Sequence, residues 1–346
     1  MEIDYISTIQ EQLKAATESA QSESESTCVG IFKIKTANQT IEDASKQPKP
    51  KPLWKSLWYE GEVCCLFSDS NLGKSVYAVQ IAEHVAQSRK VLYFDFELTD
   101  KQFQERYTDE FGNTHVFPPH LYRVSINQET IDPTRYDDAL LDGIEQAALQ
   151  KDVSILIIDN LTYLCSCSEK GEIAGLFMTK LSSLKHKYGF SILVLAHTPK
   201  RFLSNPITQN DLAGSKKLYN FFDSCFALGK STMGESFRYI IQLKVRYGSL
   251  TNGKDNVIIC SVEKVGDFLQ FVEHGSSSER EHLRDRFEEK YEFAKKVKNL
   301  SDEGYTERQI ANTLGSNKSA VHLVLTKIRK SGLNEEDNLF NQDNQE

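Results

Sequence analysis

The segment Ser68-Asp-Ser-Asn-Leu-Gly73-Lys74-Ser75 constrains this chain more than any other. It joins an apolar run, Glu62-Val-Cys-Cys-Leu-Phe67, to a stretch of helical spacing over 74–87. A turn of this composition between a strand and a helix aims successive backbone N–H groups at one point. A helix N-terminus there favours an anion, a lysine reaches the terminal phosphates of a nucleotide, and the hydroxyl ligates magnesium. Ser70, Asn71, Leu72, Gly73, Lys74, Ser75 and Val76 are the expected nucleotide-binding residues, with Lys74 also catalytic and Ser75 also a Mg2+ ligand. Ser68 stands where the full motif begins with glycine; that glycine serves loop geometry, so its loss removes no phosphate ligand. A chance Gly-Lys-Ser is the competing reading, and the strand before it and the helix after it weigh against that.

Apolar runs of strand length recur at 62–67, 90–97, 120–126, 153–159, 190–196 and 223–229, with helical spacing over 74–87, 100–111, 136–150 and 171–188. Alternation of this kind predicts an α/β fold, a mostly parallel central sheet covered on both faces. The runs at 237–245, 256–263 and 268–273 follow with short turns and predict antiparallel strands on the sheet's edge. His274-Gly-Ser-Ser-Ser278 reads as a linker, and the rest to 330 as helices only. The expected division is therefore an acidic, largely flexible segment with a Pro-rich lead-in (1–50), an ATPase domain (51–275), a small all-α domain (279–330) and an acidic disordered tail (331–346). A short amphipathic helix is expected over Tyr5 to Leu13.

The formal net charge of -8 argues against a nucleic-acid partner only until it is localised. Residues 1–28 carry one base and six acids, and residues 331–346 carry five acids and no base, which leaves 29–330 at +2. Seven cysteines, several inside apolar runs, fit buried free thiols in a reducing compartment better than a disulfide framework. Cys165-Ser-Cys167 lacks the spacing of a zinc site. No apolar run is long enough to span a bilayer, so no membrane partner and a cytoplasmic location are expected.

A magnesium-shell carboxylate is expected at the end of another parallel strand, and Ile155-Leu-Ile-Ile-Asp159 has that form. The plainer reading of Asp159 is a strand-end turn residue. Asn160 follows it, where many related ATPases place a water-activating glutamate. The strand ending in Glu97 supplies the general-base candidate instead, on the expectation that it neighbours the phosphate-loop strand, with Asp95 as its rival.

Together with Leu-Val-Leu-Ala-His197-Thr-Pro-Lys200, Asp211-Leu-Ala-Gly-Ser215 and Lys244-Val-Arg246-Tyr-Gly248, these motifs resemble the RecA-like hexameric ATPases. The likeness, from about residue 53 to 272, is to replicative helicases of the DnaB type and plasmid RepA-like helicases, within the AAA-domain P-loop ATPases. It implies a RecA-like P-loop core, ATP and Mg2+ as cofactors, and assembly as a hexamer. It implies that His197 senses the γ-phosphate, and that Arg246, with Lys244 beside it, reaches into a neighbouring subunit's nucleotide. It also implies that the loop 199–210, with Lys200 and Arg201, touches single-stranded DNA inside a ring. The primase-binding N-terminal domain of the DnaB type is not matched, since the stretch before the Pro-rich lead-in is too short and too polar.

Residues 307–324 fit a helix-turn-helix template at its constrained positions. Ala311 is small where two helices cross, Gly315 sits where the turn needs positive φ, and Thr306 and Asn317 stand at cap positions. Arg308, Asn317, Lys318, Ser319, His322 and Lys327 are the expected duplex-DNA contacts, with Arg329 and Lys330 on phosphate. A protein-contact role for the same fold is the alternative. Residues 305–330 hold five bases and one acid, which favours DNA. The sequence thus predicts an ATP-hydrolysing oligomeric motor, helicase-like, for replication or maintenance of a plasmid or mobile element. The alternatives are an ATP-controlled DNA-binding regulator or loader, and a KaiC-like signalling ATPase.

Overall fold

A computed structural model describes residues 27–126, 136–160, 171–199, 201–212 and 216–331. The expected helix at 5–13, the acidic tail, Cys165, Cys167 and Lys200 lie outside them. The chain falls into two units, Met1–Lys51 and Pro52–Glu346. The first carries a hairpin, β1 (Thr27–Val29) and β2 (Phe32–Ile34), and helix α1 (Ala37–Ser45), where the composition suggested flexible chain. Gly30 at φ 57° turns the hairpin, and the Thr36 hydroxyl caps the helix on the Gln39 amide.

In the second unit a short hairpin, β3 (Pro52–Trp54) and β4 (Trp58–Tyr59), precedes β5 (Val63–Ser68), α2 (Lys74–Ala86), β6 (Val91–Asp95), α3 (Asp100–Arg106) and β7 (Leu121–Val124). Then come α4 (Tyr136–Lys151), β8 (Ile155–Asp159), α5 (Gly171–Tyr188), β9 (Ser191–His197), α6 (Lys216–Phe221) and β10 (Ser224–Lys230). Strands β11 (Phe237–Lys244), β12 (Val257–Val265) and β13 (Phe268–Ser277) follow. Three C-terminal helices, α7 (Arg286–Asp302), α8 (Glu307–Leu314) and α9 (Lys318–Ser331), end the described chain.

Nine strands form one sheet in the order β13-β12-β11-β10-β5-β9-β8-β6-β7. The six from β10 to β7 run parallel and the last three in sequence are antiparallel, which makes this a RecA-like P-loop core with the expected antiparallel edge. Two apolar layers cover the sheet, and β5 shows why: Val63, Cys65 and Phe67 enter one layer while Cys64 and Leu66 enter the other. Cys64, Cys65, Cys225 and Cys260 are buried free thiols, and no helix among the described residues is long and apolar enough to cross a membrane.

Three readings of the sequence are corrected. Strand β6 does not neighbour β5; β9 and β8 stand between them. The helix expected over 100–111 stops at Arg106, because the Asp109 carboxylate captures the Phe111 and Asn113 amides and turns the chain. His274 to Ser277 is the end of β13, paired with β12, and not a linker. Small polar residues suit an edge strand with one face in solvent.

The C-terminal helices close on a small cluster of their own, Val297, Ile310, Ala311, Val321 and Leu325. Thr306 and Gln309 form a capping box at the start of α8, Gly315 ends it at φ 60°, and Asn317 Oδ1 caps α9 on the Ala320 amide at 2.7 Å.

Candidate active site and nucleic-acid interface

Strand register gathers the site. Ser68 on β5 pairs with His197 on β9, and Asp95 on β6 pairs with Asp159 on β8. All four therefore lie along the carboxyl edge of the parallel sheet, where open α/β sheets bind ligands. Helix α2 begins at that edge behind Gly73, whose φ is 96° and whose Cβ, were there one, would meet the Phe271 ring at 3.0 Å. The backbone conformation calls for glycine there, and a side chain would press on the Phe271 ring.

Lys74 is buried, and its Nζ donates to Ser68 O at 3.2 Å and Asp69 O at 3.3 Å and lies 3.2 Å from His197 Nδ1. Burial pulls its pKa below the ordinary lysine value, against the opposing charges of Asp159, Glu97 and Asp69. With Lys74 donating, His197 Nδ1 is an acceptor, while Nε2 lies 3.0 Å from Asn160 Nδ2 and 3.8 Å from Glu97 Oε1. Glu97 also accepts from Asn160 Nδ2. The neighbouring His197, ahead of Lys74 and Asn160, holds Glu97 below the usual carboxylate range, so it is ionised near neutral pH.

Glu97 reaches this cluster across two strands because it lies beyond the end of β6. There Asp95 Oδ1 accepts from the Glu97 and Leu98 amides at 3.2 and 3.0 Å and turns the chain. Asp95 Oδ2 is taken by Arg123 Nε at 2.9 Å. The rival base is thus engaged in holding the turn, which leaves Glu97 the freer carboxylate.

Asp159 is buried and pushed up to about 6 by burial, opposed by hydrogen bonds from Ser75 and Tyr93. The Tyr93 hydroxyl donates to Asp159 Oδ2 at 2.7 Å. A serine hydroxyl against a buried carboxylate at the head of α2 suits a hard cation that takes oxygen ligands. Among the described residues no group of three His, Cys, Asp or Glu side chains fits a metal ion alone. Magnesium held by Ser75 and Asp159 would take its other oxygens from nucleotide phosphates and water.

Tyr93 has no counterpart in the sequence reading, since a tyrosine inside Val-Leu-Tyr-Phe is indistinguishable from core. Removing the outer hydrogen bond of a metal ligand costs about 10–100-fold in metal affinity. Tyr93→Phe is therefore expected to raise the Mg2+ concentration that half-saturates nucleotide binding by about tenfold or more. A fluorescent-nucleotide titration at varied Mg2+ measures this, with an unchanged melting curve as the control. Arg238 was also missed: its Nε donates to Leu72 O at 3.3 Å, placing a cation against the phosphate loop.

Lys244 and Arg246 are not brought to this site. Lys244 pairs with Cys225 at the opposite end of β10, and its Nζ donates to Tyr219 O at 3.1 Å. Arg246 Nη1 donates to Asp223 Oδ1 at 2.7 Å, and Asp223 in turn accepts from the Val63 amide at the amino end of β5. The Arg246 side chain is 61% exposed.

Arg201 is a correction. In place of an exposed DNA contact, its side chain is 7% exposed, with Nε 3.5 Å from Asp69 Oδ2 and Nη1 donating to Asn205 O at 2.7 Å. On the C-terminal helices Arg308, Lys318, Ser319 and His322 are exposed and Lys327 is half-buried. Asn317 spends its side-chain oxygen on the cap, and His322 Nδ1 lies 2.9 Å from Glu307 Oε1.

A nine-stranded, mostly parallel sheet with a phosphate loop, a buried lysine and a strand-end aspartate at one edge defines a P-loop ATPase domain. Residues 31–201 match the family described as the AAA domain, a stretch that includes Lys74, Glu97, Asp159 and His197. That match supports an ATPase family. No curated protein matches it.

Proposed function

We propose that this chain is an oligomeric RecA-like ATPase acting on DNA, helicase-like and serving replication or maintenance of a plasmid or mobile element. The observation that carries the reading is the convergence of Lys74, Ser75, Asp159, Glu97 and His197 on the carboxyl edge of the sheet. Backbone N–H groups at 70–76 bind the phosphates, and Lys74 leaves its loop carbonyls to meet them. Glu97 takes a proton from the attacking water, held in place by Asn160 and His197. His197, between Lys74 and Glu97, registers the γ-phosphate, a role its contacts with both support. Magnesium, when bound, supplies charge neutralisation at the phosphates. Arg246, with Lys244 beside it, serves a neighbouring subunit's site, which makes assembly, as a hexamer, part of the activity. Exposed cations on α8 and α9 dock duplex DNA.

The test is ATP hydrolysis with and without DNA. Lys74→Ala is expected to abolish it and to weaken ATP binding, read by phosphate release and nucleotide titration. Hydrolysis at the unaltered rate in that variant sinks the site assignment.

A specific observation favours a second reading, an ATP-controlled regulator or loader that separates no strands. Arg201, expected to face single-stranded DNA, is turned inward. Strand displacement on a forked duplex decides between the two.

A further inference from the structure

The loop after β9 is bonded at both ends, one to the phosphate loop and one to the segment that leads into the C-terminal helices. At the first end, the Asp69 carboxylate accepts from the Thr198 hydroxyl and pairs with Arg201, and the Thr198 amide donates to Ser68 O at 3.1 Å. At the second, the Ile207 amide donates to Glu279 Oε1 at 2.8 Å and the Arg284 amide to Leu203 O at 3.4 Å. The Phe202 ring meets Phe293 of α7 edge-on, centroids 5.9 Å apart. Arg201 belongs to both ends: besides Asp69, it reaches the Tyr239 hydroxyl, which donates to buried Glu279 at 3.0 Å.

Triphosphate seated on the loop would compete for the contacts that hold the first end. Lys74 holds Asp69 O and lies against His197, and these residues flank the Asp69–Thr198 hydrogen bond. A lysine drawn to phosphate gives up both contacts at once, and new negative charge beside Asp69 competes for Arg201.

We propose that Asp69, Thr198 and Arg201 form a link that passes occupancy of the phosphate loop to the C-terminal helices, with Arg201 as its positioning residue. This rests on the reading that nucleotide binds at Lys74. The link makes the helical region responsive to nucleotide within a single chain, through bonds rather than through DNA or a neighbour. By reciprocity, whatever engages the helices alters nucleotide affinity by the same factor.

Hydrogen exchange on the full chain, with and without a non-hydrolysable ATP analogue and Mg2+, tests this, with nucleotide binding measured on the same samples. Amides of 201–207 and 286–302 are expected to change exchange rate about threefold or more on binding, the size a coupling near 0.7 kcal/mol produces. Arg201→Ala is expected to remove the response in 286–302. Phe202→Ser, at an exposed loop position, cuts the link beyond Arg201 and is expected to keep the response in 201–207 while losing it in 286–302. Bound nucleotide with no response in 286–302 of the unaltered chain overturns the link and leaves the ATPase reading standing. A full response in Arg201→Ala also overturns it. Absence of nucleotide binding overturns the site reading, and the link with it.

Discussion

Glu97→Gln is expected to bind ATP as the unaltered chain does and to hydrolyse it about 10²–10⁴-fold more slowly, the contribution of a positioned general base. The amide keeps the carbonyl oxygen that accepts from Asn160, so the side chain stays in place, but it cannot take a proton from water. The unaltered carboxylate can take that proton because it is ionised at neutral pH, with His197 beside it holding its pKa below the ordinary glutamate value. Single-turnover hydrolysis with saturating nucleotide measures the loss. Normal turnover in Glu97→Gln moves the base elsewhere, and Asp95 is a poor second, both of its oxygens being taken by Arg123 and the turn at 97–98.

The second large effect concerns DNA. Removal of residues 286–346 is expected to reduce duplex affinity and to flatten its salt dependence. Arg308, Lys318, Lys327 and Arg329 offer about four phosphate contacts, so the slope of log affinity against log salt should fall by about 3.6. The cut belongs after 285 rather than before 279. Glu279 accepts from the Ile207 amide and Tyr239, while His282 lies between Ser231 and Ser277 at 2.7 Å from each, so both belong to the ATPase core. A gel-shift titration with unchanged affinity and slope removes DNA from the account of these helices.

The sequence was most legible where a single local signal suffices. Apolar runs marked the six parallel strands and the three antiparallel ones, and the strand-loop-helix context marked the phosphate loop. It was least legible where neighbours in space are distant in sequence. Strand β9 inserts between β5 and β8, and nothing in the run 190–196 says where it will pair. The Tyr93 hydroxyl on Asp159 is hidden inside an apolar run. Arg201 follows the same rule: two bases opening a polar loop read as exposed, and only the fold sets a buried carboxylate network beneath one of them. The hairpin and helix at 27–45 were missed because every described residue from 27 to 34 is exposed, so no core periodicity betrays them.

The position of Arg246 at the far end of the sheet has an arithmetical consequence for mixtures. Each chain offers a phosphate loop at one edge and a guanidinium, held by Asp223, at the other. If neighbouring subunits join one edge to the other, Lys74→Ala chains and Arg246→Ala chains are each inert alone, yet some junctions in a mixture unite two intact halves. Activity recovered on mixing two dead proteins, rising and falling with their ratio, would count subunit junctions rather than subunits.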